Sequence, residues 1–209
     1  MTDLASLITA FTTLFIIIDA PALAPLYIAL TQGLNAAQRR RIAVRACLTA
    51  GILMLVFLFL GETVLGFIGI SMPAFRIAGG VLLFLTALDM LFQRRQQRRQ
   101  TNADEGGQEH HDDPSVFPLA IPLIVGPGTI TTIILLAGQA DGGADFAAIA
   151  GVLAVNLLIV LLTFLSAPMI ERVLGKVGIN VVTRILGMLL AALAVQFILD
   201  GLRSFGFAS

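Results

Sequence analysis

Two short runs of residues interrupt otherwise apolar stretches of this chain, and both carry groups able to hold a polar solute. The first is Asp19-Ala20-Pro21-Ala22-Leu23-Ala24-Pro25, and the second is Pro122-Leu-Ile-Val-Gly126-Pro127-Gly128-Thr129. Proline removes a backbone donor and clashes with the preceding turn, while glycine lets the chain leave helical geometry. Inside a membrane, a helix broken in this way is tolerated only within protein or beside a water-filled cavity. Asp19 lies some fifteen apolar residues into its stretch, where an ionised carboxylate costs about 3 kcal/mol on insertion scales. Such a group would bind a proton, a cation or a substrate ammonium; its structural alternative is to cap the half-helix after the break. Gly126, Pro127, Gly128 and Thr129 would place N–H groups and a hydroxyl around a carboxylate at a half-helix N-terminus. Their structural alternative is a bend packed against the rest of the protein. The candidate substrate-binding set is therefore Asp19, Pro21, Pro25, Gly126, Pro127, Gly128 and Thr129. Asn156 and Gln196 are mid-span amides that would line a cavity or, as single amides often do, bond neighbouring helices together.

The elements that must position these residues follow from composition. Of 209 residues, 57% are hydrophobic and 12% charged, with a mean hydropathy of +0.95. A soluble domain carries roughly 25% charged residues, so lipid must cover much of this chain. The formal net charge of zero gives no overall field to attract nucleic acid. Cys47 is the sole cysteine, which excludes an intramolecular disulfide and a cysteine metal cluster. His110 and His111 are the only histidines and sit in a polar stretch, where a solvated loop is expected rather than a metal site. With no Ser/His/Asp or Cys/His set in the apolar stretches and no phosphate-binding loop, neither an enzyme nor an ATP-driven pump is expected, and no cofactor.

Six apolar segments, residues 4–31, 42–61, 74–92, 116–136, 146–167 and 182–202, are each near the roughly 20 residues a spanning helix needs. The first lacks the basic n-region of a signal peptide and is expected to stay in place. Eleven of the thirteen basic residues fall after segments one, three and five, including Arg39, Arg40, Arg41, Arg45, Arg172 and Lys176. Positive loops stay in the cytoplasm, so both termini are expected on the periplasmic side. Residues 62–79 and 171–187 also align, with Glu62 on Glu171, Arg76 on Arg184 and Gly79 on Gly187. The pattern predicts a three-helix repeat in residues 1–92, a polar cytoplasmic linker in 93–115 and a second repeat in 116–209. An odd number of spans per repeat inverts the second, giving an all-α membrane protein of six helices in a 3+3 design with broken first and fourth helices. Paired breaks in the two halves are the best sequence pointer to a transport site.

Further motifs reinforce this reading. The strings Pro118-Leu-Ala-Ile-Pro122-Leu-Ile-Val-Gly126-Pro127-Gly128-Thr129-Ile130, Phe75-Arg76-Ile-Ala-Gly79-Gly80 and Arg184-Ile-Leu-Gly187, with the ending Ala194-Val-Gln196-Phe-Ile-Leu-Asp200-Gly201, resemble the signatures of the MarC family of bacterial inner-membrane proteins. The resemblance spans nearly the whole chain apart from the linker. It implies six spans and membership of a transporter superfamily that includes lysine and other amino-acid exporters, with small neutral amino acids credited to some relatives. The first break departs from the family pattern: Asp19 and Pro25 are kept, but the usual glycine and second polar side chain are absent. The expectation is an inner-membrane secondary carrier for a small polar solute, driven by a proton or sodium gradient and compatible with a homo-oligomer. A non-transporting scaffold is the alternative, with a passive channel or lipid translocase as a third reading. A carrier predicts a polar cavity at mid-depth joining both breaks; a scaffold predicts those breaks packed dry.

Overall fold

Backbone groups in hydrocarbon must bond within their own segment, so apolar runs of this length become helices. The computed structural model describes residues 4–92 and 113–206, and among them there are helices and no strands. Most of the linker expected at 93–115, with both histidines, lies outside the described residues. Helix α1 (Leu4–Ile18) is separated from α2 (Ala20–Leu30) by Asp19 alone. Then come α3 (Ala36–Ile68) and α4 (Met72–Leu91), an irregular segment at Ser115–Ile124, and α5 (Pro127–Ala137). Helices α6 (Gly143–Leu165) and α7 (Ala167–Ser204) complete the described chain.

Local chemistry sets these boundaries. Asn35 starts α3 through a reciprocal cap: its side chain accepts from the Gln38 N–H at 2.9 Å, and the Gln38 side chain accepts from the Asn35 N–H at 3.0 Å. Gly69 ends α3 in the left-handed conformation, at φ 84°. The Ser115–Ile124 segment is not α-helical because Pro118 and Pro122 supply no N–H and force the residues before them to be extended. Phe117 and Ile121 accordingly sit at φ near −125° and ψ near 125°. Its remaining bonds reach five residues back, from the Leu119 N–H to the Pro114 carbonyl and from Val125 to Ala120. The loop expected after the fifth segment is instead mostly helical. Only Gly175, at φ 59°, interrupts α7, and the long apolar helix resumes at Val177.

Among the described residues, five helical stretches are long and apolar enough to cross a membrane, with α1 and α2 counted together as Leu4–Leu30, or six if the Ser115–Ile124 segment and α5, bent by 62°, form one span. The long helices show lipid-type surfaces, with Phe59, Phe67, Leu162 and Ile185 all exposed. The two short half-helices lie inside. Nine of the eleven α5 residues are buried, as are six of the eleven in α2.

Glycines permit this close packing, Gly79, Gly80 and Gly187 among them. A Cβ on Gly79 would stand 2.3 Å from Thr131 of α5, and one on Gly61 would stand 2.5 Å from Ile134. Helices α4 and α7 run antiparallel in close contact. Gly201 lies on Pro73 and Ile77, Gly80 on Ala194 and Ile198, and Gly187 on Ala87 and Met90. Some of the other neighbours match in pairs, α2 packing on α7 as α5 does on α4 and α1 on α6 as the Ser115–Ile124 segment does on α3, while α1 also packs on α5 and α7.

Candidate functional site at the two helix breaks

Asp19 has left-handed backbone angles, φ 54° and ψ 56°, and is the only non-glycine residue with positive φ among the described residues. Aspartate tolerates this conformation better than most side chains. The Asp19 N–H still bonds to the Phe15 carbonyl at 3.0 Å, so α1 closes normally before the chain turns into α2. Pro21 sits in the first turn of α2, where its missing N–H costs no helical bond. Pro25 lies inside α2 and removes one donor there.

Asp19 occupies the N-cap position of α2, but its carboxylate makes no capping bond there. Instead the Thr183 hydroxyl, from the middle of α7, donates to both carboxylate oxygens at 3.3 and 3.4 Å. Asp19 is 0% exposed. Thr183 was not singled out by the sequence. Its available signal was a pair of polar residues, Asn180 and Thr183, three apart on one face of an apolar helix.

At the second break, Gly126 is extended, Pro127 occupies the first helical position and α5 follows. The Thr129 hydroxyl donates to the Ile124 carbonyl at 3.1 Å, so it ties the bend together. Gly128 faces α1: a Cβ there would stand 3.3 Å from both Ile17 and Leu83. The two breaks therefore lie side by side, with Gly128 against the residue two before Asp19. Gly128 and Thr129 are buried, Gly126 is half-buried and Pro127 is exposed.

The two amides fall elsewhere. Asn156 is buried and donates to the Val152 carbonyl of its own helix at 3.0 Å. Gln196 is exposed and donates to Asp200 at 2.8 Å, with Arg203 3.9 Å beyond. Glu62 is exposed and forms no ion pair with Arg76 among the described residues.

Two cavities open toward opposite ends of the helices. One, of about 410 Å³, lies at the end rich in arginine and is lined by Tyr27, Arg39, Arg40, Phe164 and Pro168 among others. The Tyr27 ring stacks on Phe164 at 4.5 Å, and its hydroxyl donates to the Arg39 carbonyl at 2.8 Å. The other, of about 220 Å³, is lined by Ser6, Thr9, Thr13, Gln139 and Phe197 together with apolar neighbours. Neither wall includes Asp19 or residues 126–129. At the arginine-rich end, Arg45 near the start of α3 pairs with Asp113, which lies outside the spans, and the Ser115 N–H donates to Asp113 at 3.1 Å. Burial pushes the Asp113 carboxyl up, but hydrogen bonding from Ser115 and the charges of Arg45 and Arg41 outweigh it and hold it below the usual range.

Comparison with known proteins places this geometry in a family. The chain is 37% identical over 202 residues to a UPF0056 membrane protein of Methanocaldococcus jannaschii, covering 96% of this chain and 98% of that one. It is 39% identical to a UPF0056 membrane protein of Archaeoglobus fulgidus, covering 92% and 90%. It is 34% identical to the UPF0056 inner membrane protein YhgN of Escherichia coli, covering 94% and 96%. No solved structure matches the chain. Residues 4–205 match the MarC family model, and with its broken helices and lipid-facing spans the chain belongs to the MarC family of integral membrane proteins.

Proposed function

We propose that this chain is a secondary carrier for a small polar solute, caught with its site closed to both sides. The observation that carries the reading is Asp19. A fully buried carboxylate, left-handed at a helix break, bonds across to Thr183 instead of capping its own helix, and it lies beside a second helix break. Intramembrane carboxylates are costly and typically sit on ion, proton or substrate paths. The matched packing of α1 with α6 and the Ser115–Ile124 segment with α3, and of α2 with α7 and α5 with α4, supports two inverted halves related about the breaks. A cavity at each end, both stopping short of the breaks, fits a carrier between its two open states. The arginine-rich end supports a cytoplasmic side there and periplasmic termini. The name of the Escherichia coli relative supports residence in the inner membrane.

A small neutral amino acid is the substrate we infer, on the family resemblance, with a proton or sodium gradient as the driving force. Purified protein in proteoliposomes should take up labelled small neutral amino acids faster than empty vesicles, and an imposed proton or sodium gradient should raise that rate. The tight packing of both breaks favours a second reading, a non-transporting membrane scaffold. Folded protein that moves no amino acid in either direction, under any gradient, would overturn the amino-acid carrier and favour the scaffold.

A further inference from the structure

The seam between α1 and α5 carries more polar groups than its packing requires. Helix α1 meets the start of α5 at its own end, Ile17 against Gly128. The beginning of α1 meets the end of α5, because Ala5, Ser6 and Thr9 share a cavity wall with Leu136 and Gln139. The two half-spans therefore run antiparallel. One turn from the Ile17–Gly128 contact, four residues back on α1 and four forward on α5, stand Thr13 and Thr132, which helical spacing places on the same sides of their helices as Ile17 and Gly128. Both are buried, at 1% and 0% exposure, and neither side-chain hydroxyl has a hydrogen-bond partner. Thr13 also forms part of the cavity wall, where Ser6, Thr9 and Thr13 follow one another along one face of α1.

A buried hydroxyl without a partner costs free energy, and native proteins keep few of them. Methyl-bearing valine has the shape of threonine and would fill the same space without that cost. Two such hydroxyls on opposite walls of one seam, in line with a cavity at one end and Asp19 at the other, therefore need an explanation other than packing.

We infer that the α1–α5 seam is the closed access path from the cavity at the end opposite the arginines to Asp19, and that the Thr13 and Thr132 hydroxyls bind the polar solute or its water when the seam parts. The inference rests on the carrier reading for the identity of what passes, but the seam's opening is tested separately. Cys47 is buried and is the sole native cysteine, so single cysteines can be placed in a Cys47→Ala background. The probe is a membrane-impermeant charged methanethiosulfonate added to intact cells, with Ser6→Cys, half-buried on the cavity wall, as the accessible reference and Leu58→Cys, fully buried on α3, as the closed one.

Thr13→Cys and Thr132→Cys should react at least about tenfold faster than Leu58→Cys, the equivalent of a 1.4 kcal/mol difference. Modification at either rate no greater than at Leu58→Cys, while Ser6→Cys reacts, would overturn the inference. A second pair of variants guards against misfolding. Thr13→Val and Thr132→Val should raise the thermal midpoint, since each removes an unpaired hydroxyl, yet slow uptake about tenfold. Higher stability with unchanged uptake would also overturn the path. Fast cysteine labelling in a protein that transports nothing would keep the opening seam and defeat only the carrier reading.

Discussion

At the scale of single residues, the account turns on Asp19, which has two separable properties. Its backbone is left-handed, which costs an L-residue about 1–2 kcal/mol, and its carboxylate is held by Thr183. Asp19→Gly removes the first cost together with the second interaction. Thermal unfolding in detergent should therefore show a midpoint equal to or above that of the native protein, while transport is lost. A large fall in the midpoint would mean that the Thr183 bond is chiefly structural. Asp19, Pro21 and Pro25 and the Gly126–Thr129 run were legible in the sequence because charge, proline and glycine are anomalous inside apolar helices. Thr183 and Thr13 were not legible, because threonine is common in membrane helices and its meaning depends on what faces it across a seam. Gln196 looked like a mid-span amide in the sequence but lies on an exposed face bonded to Asp200, which only the rotation of α7 decides.

At the scale of elements, glycines decide how closely the helices approach. Gly80 touches the backbone of α7, where a Cβ would stand 2.9 Å from the Ala194 carbonyl. Gly66, in the last turn of α3, has open space in that direction. Gly80→Ala should lower stability by about 1–3 kcal/mol through overpacking. Gly66→Ala should leave stability unchanged or raise it by up to about 1 kcal/mol. Chemical denaturation of the two variants in the same detergent checks the contrast, and equal effects would contradict the close α4–α7 contact. Charge fixes another element: Arg45 of α3 holds Asp113 at the start of the second set of helices. Because the Asp113 carboxyl titrates below its unfolded value, its contribution is present above the ordinary carboxylate range and disappears as pH falls through the folded value. Asp113→Asn should lower the thermal midpoint at neutral pH, and the gap from native protein should close in acid. A gap that persists there would assign the loss to something other than the ion pair. Helix positions were readable from apolar runs, but the Ser115–Ile124 geometry was not. Its two prolines announced a disruption, and the extended residues before each of them depend on the detailed backbone path.

At the scale of the whole molecule, the distribution of arginine and lysine predicts an orientation in the membrane. Arg39, Arg40, Arg45 and Asp113 gather at one end, and the Ser6–Thr9–Gln139 cavity opens toward the other. A periplasm-dependent alkaline phosphatase fused after Ser209 should be active, and one fused after Phe92 should be inactive. The reverse pattern would invert the protein and place the polar α1–α5 seam on the cytoplasmic side. The apolar segments and the two breaks could be read from the order of residue types along the chain. How the two broken spans meet could not, because that contact joins residues more than a hundred positions apart. The meeting of Ile17 with Gly128 turns two local anomalies into one site.

The central claim is that the buried carboxylate at this meeting point moves a solute across the membrane. Counterflow tests it most directly: proteoliposomes preloaded with an unlabelled small neutral amino acid are diluted into a trace of the labelled one. The native protein should accumulate label transiently above equilibrium. Asp19→Asn, reconstituted to the same level and equally stable, should show only the slow entry of protein-free vesicles. Equal accumulation by both proteins would remove Asp19 from the mechanism, and no accumulation by the native protein with any small neutral amino acid would contradict the carrier itself.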